Sequence, residues 1–166
     1  IYFNEPDRAG HVYGTDSKEV NEQIKISDDI LGNLLESLKN LDIYQNINIV
    51  IVSDHGMVDV SEERIINIDD FNISGIIDGK GPLMSVKNEH FSDVSIPHVT
   101  VVSSRENNTL HYHNPLYNFL LIADEGWMLY NSNHLKKYNG SLPVKGMHGY
   151  KPDNINMHAI FYAYGP

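Results

Sequence analysis

Positions 48–57 read NIVIVSDHGM, an apolar run that halts at Asp54-His55 and turns at Gly56. An Ile/Val run bounded by glycine predicts a strand buried on both faces, of the kind found in parallel sheets. In open α/β sheets, ligands bind at the carboxyl ends of such strands. An acid and a histidine at that end therefore mark a candidate site, although an Asp-His pair also serves as a simple loop cap. The rest of the sequence has to decide between the two.

Upstream, Ile1-Tyr2-Phe3 reads as another strand and NEPDRAGHVYG as the loop after it. From Lys18 to Leu41 the apolar residues Val20, Ile24, Leu31, Leu34, Leu35 and Leu38 recur at spacings of three, four and seven. That period predicts an amphipathic helix, weakened in its middle by Gly32. Strand, helix and strand in that order imply a βαβ unit with a right-handed crossover. Downstream, short strands are predicted near 65–68, 83–86, 99–102, 119–123 and 127–130, punctuated by Gly, Asn and Pro. MHAIFYAYG closes the chain as a buried run. The middle is β-rich, as an insertion or a cap would be. With a strand at each end and Ile1 rather than Met at the start, the chain reads as part of a larger domain.

The 166 residues suffice for one domain with a sizeable core. Hydrophobic content of 41% and charged content of 20% are ordinary for a globular protein. A net charge of -10 argues against non-specific binding to a nucleic-acid polymer, which needs a basic face. It leaves room for a nucleotide substrate, because a metal can supply positive charge locally. No cysteine is present, so a transition metal must be held by His and carboxylate. No apolar run approaches the roughly 18 residues of a membrane span, and IYFNEPDRAG lacks the basic-then-apolar pattern of a signal peptide.

Three segments carry the candidate chemistry. In EPDRAGH, Asp7 and His11 are separated by three residues, just after the predicted first strand; Asp54-His55 follow the second; His148, in MHGY, shortly precedes the last. A parallel sheet would bring all three to one edge. Asp, His and a distant His make a sensible zinc site, and Asp54-His55 supply half of a neighbouring one. Two metals about 4 Å apart clamp the attacking and leaving oxygens of a phosphoryl displacement.

NEPDRAGHVYG, VSDHGM, IADEGW and HGYKPDNINMHAIFYAYGP together resemble, in order, the signature segments of the nucleotide pyrophosphatase/phosphodiesterase family, within the alkaline-phosphatase superfamily. The combination of HYHN, ADEGW, HGY and MHAIF looks most like the smaller, membrane-anchored members that act on dinucleoside polyphosphates and related nucleotides. The resemblance implies an α/β fold with an alkaline-phosphatase-like, parallel-rich sheet flanked by helices. Residues 1–166 would be the C-terminal portion of a single phosphodiesterase catalytic domain, incomplete and with a β-rich insertion in the middle. It also implies two Zn²⁺, one on Asp7, His11 and His148 and one on Asp54 and His55, with a nucleotide or dinucleotide substrate. In the family a threonine, activated by its zinc, attacks phosphorus. That threonine lies upstream of EPD, so no catalytic nucleophile is expected in this chain, and Thr15, Thr100 and Thr109 stand in no matching context. Extracellular or cell-surface localisation follows from the resemblance too.

Other features read more plainly. His90, His98, His134 and His158 lie outside the motifs and suit structural or surface roles. His111 and His113 would share one face of a strand, with no third ligand nearby. Glu5 and Pro6 suit a role in fixing their loop, Tyr112 and Trp127 suit core or pocket walls, and Glu62, Glu63 and the DDF cluster a solvated face. Asn72, Asn107 and Asn139 each stand in an Asn-x-Ser/Thr pattern, which permits glycosylation without requiring it. A phospholipid-type diesterase or phosphomonoesterase on the same fold is the rival enzyme, and a catalytically inactive ectodomain used for binding or adhesion is the rival outside enzymes.

Overall fold

The computed structural model describes residues 1–71, 73, 75–88, 91, 94–104, 110–139 and 141–166. The opening triplet is not a strand: residues 1–3 are irregular, and Ile1 and Tyr2 are exposed. The segment after it, expected as a loop, folds into helix α1 (Asp7–Tyr13). Helix α2 (Lys18–Lys39) follows as predicted. Its start is set by Ser17, whose hydroxyl accepts the Val20 N–H at 3.2 Å, a cap that contributes about 1 kcal/mol. Gly32 meets no neighbour within 4 Å, so it disturbs no packing. The apolar face is less covered than its period suggests. Val20 is buried and Leu31, Leu34, Leu35 and Leu38 are half-buried, but Ile24 is exposed.

The Ile/Val run forms strand β1 (Ile49–Val52), but its alternation is one-sided: Ile49 and Ile51 are half-buried while Val50 and Val52 are exposed. Then come β2 (Val58–Asp59), β3 (Ile65–Asn67), β4 (Ile76–Lys80), β5 (Leu83–Lys87), β6 (Val99–Ser103), β7 (Phe119–Ala123) and β8 (Met128–Tyr130). Helix α3 (Ser132–Lys137), β9 (Gly146–Met147) and β10 (Phe161–Tyr164) complete the order.

The α/β class holds, in a mixture of helices and small sheets, while strand direction differs from the βαβ expectation. β1 pairs antiparallel with β10, Ile49 opposite Tyr164 and Val52 opposite Phe161. Among the described residues only β3 and β8 run parallel. β10, expected to be buried, is exposed along its whole length. The β1–β10 ladder and α2 leave an apolar groove between Leu35, Tyr44, Ile51 and Tyr162, about 350 Å³ in volume.

The expected β-rich middle is a four-stranded antiparallel sheet in the order β4-β5-β7-β6. β4 was not predicted. Its five residues pair with β5, from Ile76 opposite Lys87 to Lys80 opposite Leu83. This sheet carries the core. Met84, Val86, Leu121, Leu129, Ile68 and Phe91 are essentially inaccessible, and Phe91 meets Phe119 at 5.4 Å between ring centres. Truncating a phenylalanine so buried costs about 3–5 kcal/mol.

Candidate metal centre

Helix α1 places the first two candidate residues. Pro6 precedes its first turn, Asp7 sits in that turn beside the helix's positive end, and Glu5 Oε2 accepts the Ala9 N–H at 3.0 Å. Gly14, at φ 94°, ends the helix and donates its N–H to Gly10 O. A helix of this length puts Asp7 and His11, at i and i+4, on one face, and Asp7 Oδ1 lies 3.5 Å from His11 Nε2. The spacing that suggested a ligand pair is therefore helical, not a feature of a strand-end loop.

Asp54 and His55 follow β1 as expected, and His148 follows β9, which pairs with β2 through Met147 opposite Val58. Lys145 N–H donates to His11 O at 2.8 Å, drawing α1 against β9. All five predicted residues thereby come together. Asp7 Oδ1 lies 3.7 Å from His148 Nε2 and 4.0 Å from His55 Nε2, while Asp54 Oδ2 lies 3.5 Å from His55 Nε2. The His55 and His148 rings stack at 3.5 Å. Ligand atoms of Asp7, His11 and His148 all lie within 4.8 Å of one another.

These separations suit a cation better than hydrogen bonds. Asp7 Oδ1 is buried and has no hydrogen-bond partner, an arrangement that is costly if nothing compensates it. Ligand atoms about 2.0–2.1 Å from a tetrahedral zinc stand about 3.3–3.4 Å apart. The pairs at 3.5 and 3.7 Å are near that spacing, and the 4.0 Å gap between Asp7 and His55 is longer. Two carboxylates and three imidazoles also make a donor set suited to a divalent ion.

Backbone carbonyls orient the imidazoles. His11 Nδ1 contacts Gly146 O at 2.7 Å and His55 Nδ1 contacts Gly56 O at 2.9 Å. A carbonyl only accepts, so each ring places an N–H at Nδ1 and turns Nε2 toward the neighbouring candidate ligands. Burial, reinforced by the neighbouring His55 and His11, pushes the His148 imidazole below its ordinary value against the pull of Asp7 and Asp54. Glycines allow the close approach: a Cβ on Gly146 would stand 2.5 Å from Gly10 O, and one on Gly10 would strike the Met57 sulfur. The Asp54 side chain is 74% exposed.

Other expectations resolve differently. His111 and His113 lie on no strand; His111 has a φ of 51°, and His113 Nδ1 reaches Ser104 O at 3.4 Å. His98 stacks on Trp127 at 3.9 Å, and Trp127 packs against the core. The acidic face is partly structural, since Asp69 Oδ2 accepts the Ser132 N–H at 2.8 Å. Asn72, Asn107, His90 and Thr109 lie outside the described residues. The orienting carbonyls of Gly56 and Gly146 escaped sequence reading, because a backbone acceptor has no residue signature; a glycine beside each motif was the only trace.

The model of the type I phosphodiesterase / nucleotide pyrophosphatase family matches residues 1–151. The chain belongs to that family. Bis(5'-adenosyl)-triphosphatase ENPP4 of Homo sapiens is 33% identical over 180 residues, spanning 100% of this chain and 38% of that protein. Among solved structures, murine ectonucleotide pyrophosphatase / phosphodiesterase 5 superposes with a TM-score of 0.83 at 29% identity, over 100% of this chain and 46% of that one. An inactive form of that murine protein, in complex with AMP, matches with a TM-score of 0.82 at 29% identity and the same coverage. The chain thus spans 38% of the length of the human relative and 46% of the murine chains.

Proposed function

We propose that the full-length protein is a zinc-dependent nucleotide phosphodiesterase or pyrophosphatase that releases nucleoside 5'-monophosphates. The observation that carries this reading is Asp7 Oδ1, buried without a donor and flanked by His11, His148 and His55 Nε2 at 3.5, 3.7 and 4.0 Å. Asp7, His11 and His148 would hold one zinc, and Asp54 with His55 the other. Bound there, two divalent cations would offset the charge on the attacking and leaving oxygens of a phosphoryl displacement.

The residues of this chain bind and orient. His11 and His55, each anchored at Nδ1 by a backbone carbonyl, hold their Nε2 lone pairs in fixed directions. Asp7 and Asp54 supply the negative charge, and the exposed side of Asp54 is the approach for a phosphate. Thr15 gives its N–H to Asp59 and Thr100 lies within β6, so neither is assigned the nucleophile; a threonine outside residues 1–166 takes that role. A nucleotide as substrate is supported by the AMP bound to the murine relative and by the adenosyl substrate in the human relative's name. On the same reading the protein works outside the cell or at its surface, as the prefix "ecto" says of the murine relative.

The test is hydrolysis of a chromogenic nucleotide phosphodiester against a chromogenic phosphate monoester, with chelator and with zinc returned. Diester cleavage that chelation abolishes and zinc restores is expected. Preference for the monoester, or indifference to chelation, would overturn the reading.

A further inference from the structure

We infer that Glu125 is a positioning residue for the Asp54–His55 half of the centre, acting through the backbone of residues 154–157; the inference rests on the metal reading above. The link begins in the core. Glu125 sits in the corner between β7 and β8, where Asp124 N–H donates to His98 O at 2.8 Å and Trp127 N–H to Asp124 O at 3.0 Å. Gly126 takes a φ of 77° there, and Trp127 packs on the core while its carbonyl accepts the Tyr150 hydroxyl at 3.1 Å. The backbone under Glu125 is thus held on several sides.

From that corner the carboxylate spans to a different segment. Asn154 Nδ2 donates to Glu125 Oε2 at 2.7 Å and Asn156 Nδ2 donates to Glu125 Oε1 at 2.8 Å. One carboxylate therefore grips the cap of the helical turn Ile155–Met157 and the residue at its middle. Charge-assisted bonds of this length are the stronger kind. The Asn154 side chain also caps the turn, its Oδ1 accepting the Asn156 N–H at 2.9 Å.

That turn is the wall behind the ligand loop. Gly56 N–H donates to Met157 O at 3.0 Å, and a Cβ on Gly56 would collide with Asn156 O and stand 3.2 Å from His158 O. Gly56 O in turn receives His55 Nδ1 at 2.9 Å. A shift of the 155–157 turn therefore reaches the His55 ring through two hydrogen bonds, Gly56 N–H to Met157 O and His55 Nδ1 to Gly56 O. Groups that orient metal ligands from behind commonly tune affinity 10–100-fold.

The test uses the full-length protein and Zn²⁺ alone, with affinity measured by competition against a chelator and the unfolding midpoint as control. Glu125→Ala is expected to weaken zinc binding about 10-fold or more, with its midpoint close to that of the unaltered protein. Asn154→Ala with Asn156→Ala should give the same loss, and all three together no further loss, since they cut one link. In the metal-free protein with labelled histidines, the His55 ring signals should move in Glu125→Ala while those of His134 stay. Unaltered zinc affinity, losses that add, or unmoved His55 signals would each overturn the inference. If the unaltered protein takes up no zinc yet His55 still responds, the metal reading fails and the positioning link stands.

Discussion

Asp7 Oδ1 stands 4.0 Å from His55 Nε2, and this gap joins the two halves of the centre. One atom comes from helix α1 and the other from the loop after β1. The distance is too long for a hydrogen bond. A carboxylate oxygen and the Nε2 of an imidazole thus face each other without a hydrogen bond, across a space that a cation would fill.

Asp7→Asn separates charge from shape. The amide can turn an N–H toward the imidazole lone pairs, so the metal-free variant is expected to be at least as stable as the unaltered protein. Zinc affinity is expected to fall by about 100-fold or more, since a direct ligand loses its charge. Calorimetric melts paired with zinc dialysis check both halves; an unchanged affinity contradicts the assignment of Asp7.

His148→Ala and Asp54→Ala remove one proposed ligand from each half. Each is expected to cost several orders of magnitude in diester hydrolysis by the full-length protein. Steady-state rates on a chromogenic nucleotide diester measure this. Near-normal turnover in either variant is incompatible with the proposed roles.

Gly56→Ala tests the wall behind His55. The added methyl meets the Asn156 carbonyl and the His158 oxygen, both backbone atoms that cannot swing away. Overpacking of this kind costs about 1–3 kcal/mol, which a denaturant midpoint reads directly. Zinc affinity is expected to fall with it.

Alkaline stability follows from buried phenols. Burial raises Tyr130 from the ordinary 10.0 to about 12, and burial raises Tyr150 as well. The stability held by the neutral phenols is fully present below pH 10, where the unfolded chain also keeps its protons. It is lost as pH rises toward the folded value, because the unfolded chain releases protons first. Urea midpoints taken across this range should decline, and Tyr130→Phe should flatten the decline. A midpoint that is level through pH 11 contradicts this.

Much of the fold was legible wherever packing and local pattern agree. Phe119–Ala123 was read to the residue because FLLIA is a short apolar run lying between polar turns and is buried in the middle of its sheet. Helix α2 was legible from its period, while the Ser17 cap that sets its start was not read. Helix α1 was not, because Pro6 and Gly10 punctuate it like a loop; its backbone is held by Glu5 and by contact with β9, which a local reading does not see. β4 exists through pairing with β5 alone. Direction was the main failure. An Ile/Val run and a helix suggest a parallel crossover, but β1 finds its partner more than a hundred residues later and antiparallel.

The site was more legible than the fold that carries it. Asp7, His11, Asp54, His55 and His148 were all named from motif and residue type, and they converge. Their support was not legible. The carbonyls of Gly56 and Gly146 and the grip of Glu125 on Asn154 and Asn156 depend on where distant backbones meet.

The most direct measurement is the zinc stoichiometry of the full-length protein after equilibrium dialysis, counted by atomic emission. The account predicts two zinc ions per chain, one lost in His148→Ala and the other weakened in Asp54→Ala. A protein that binds no zinc, or one whose two zinc ions survive both substitutions, would contradict it.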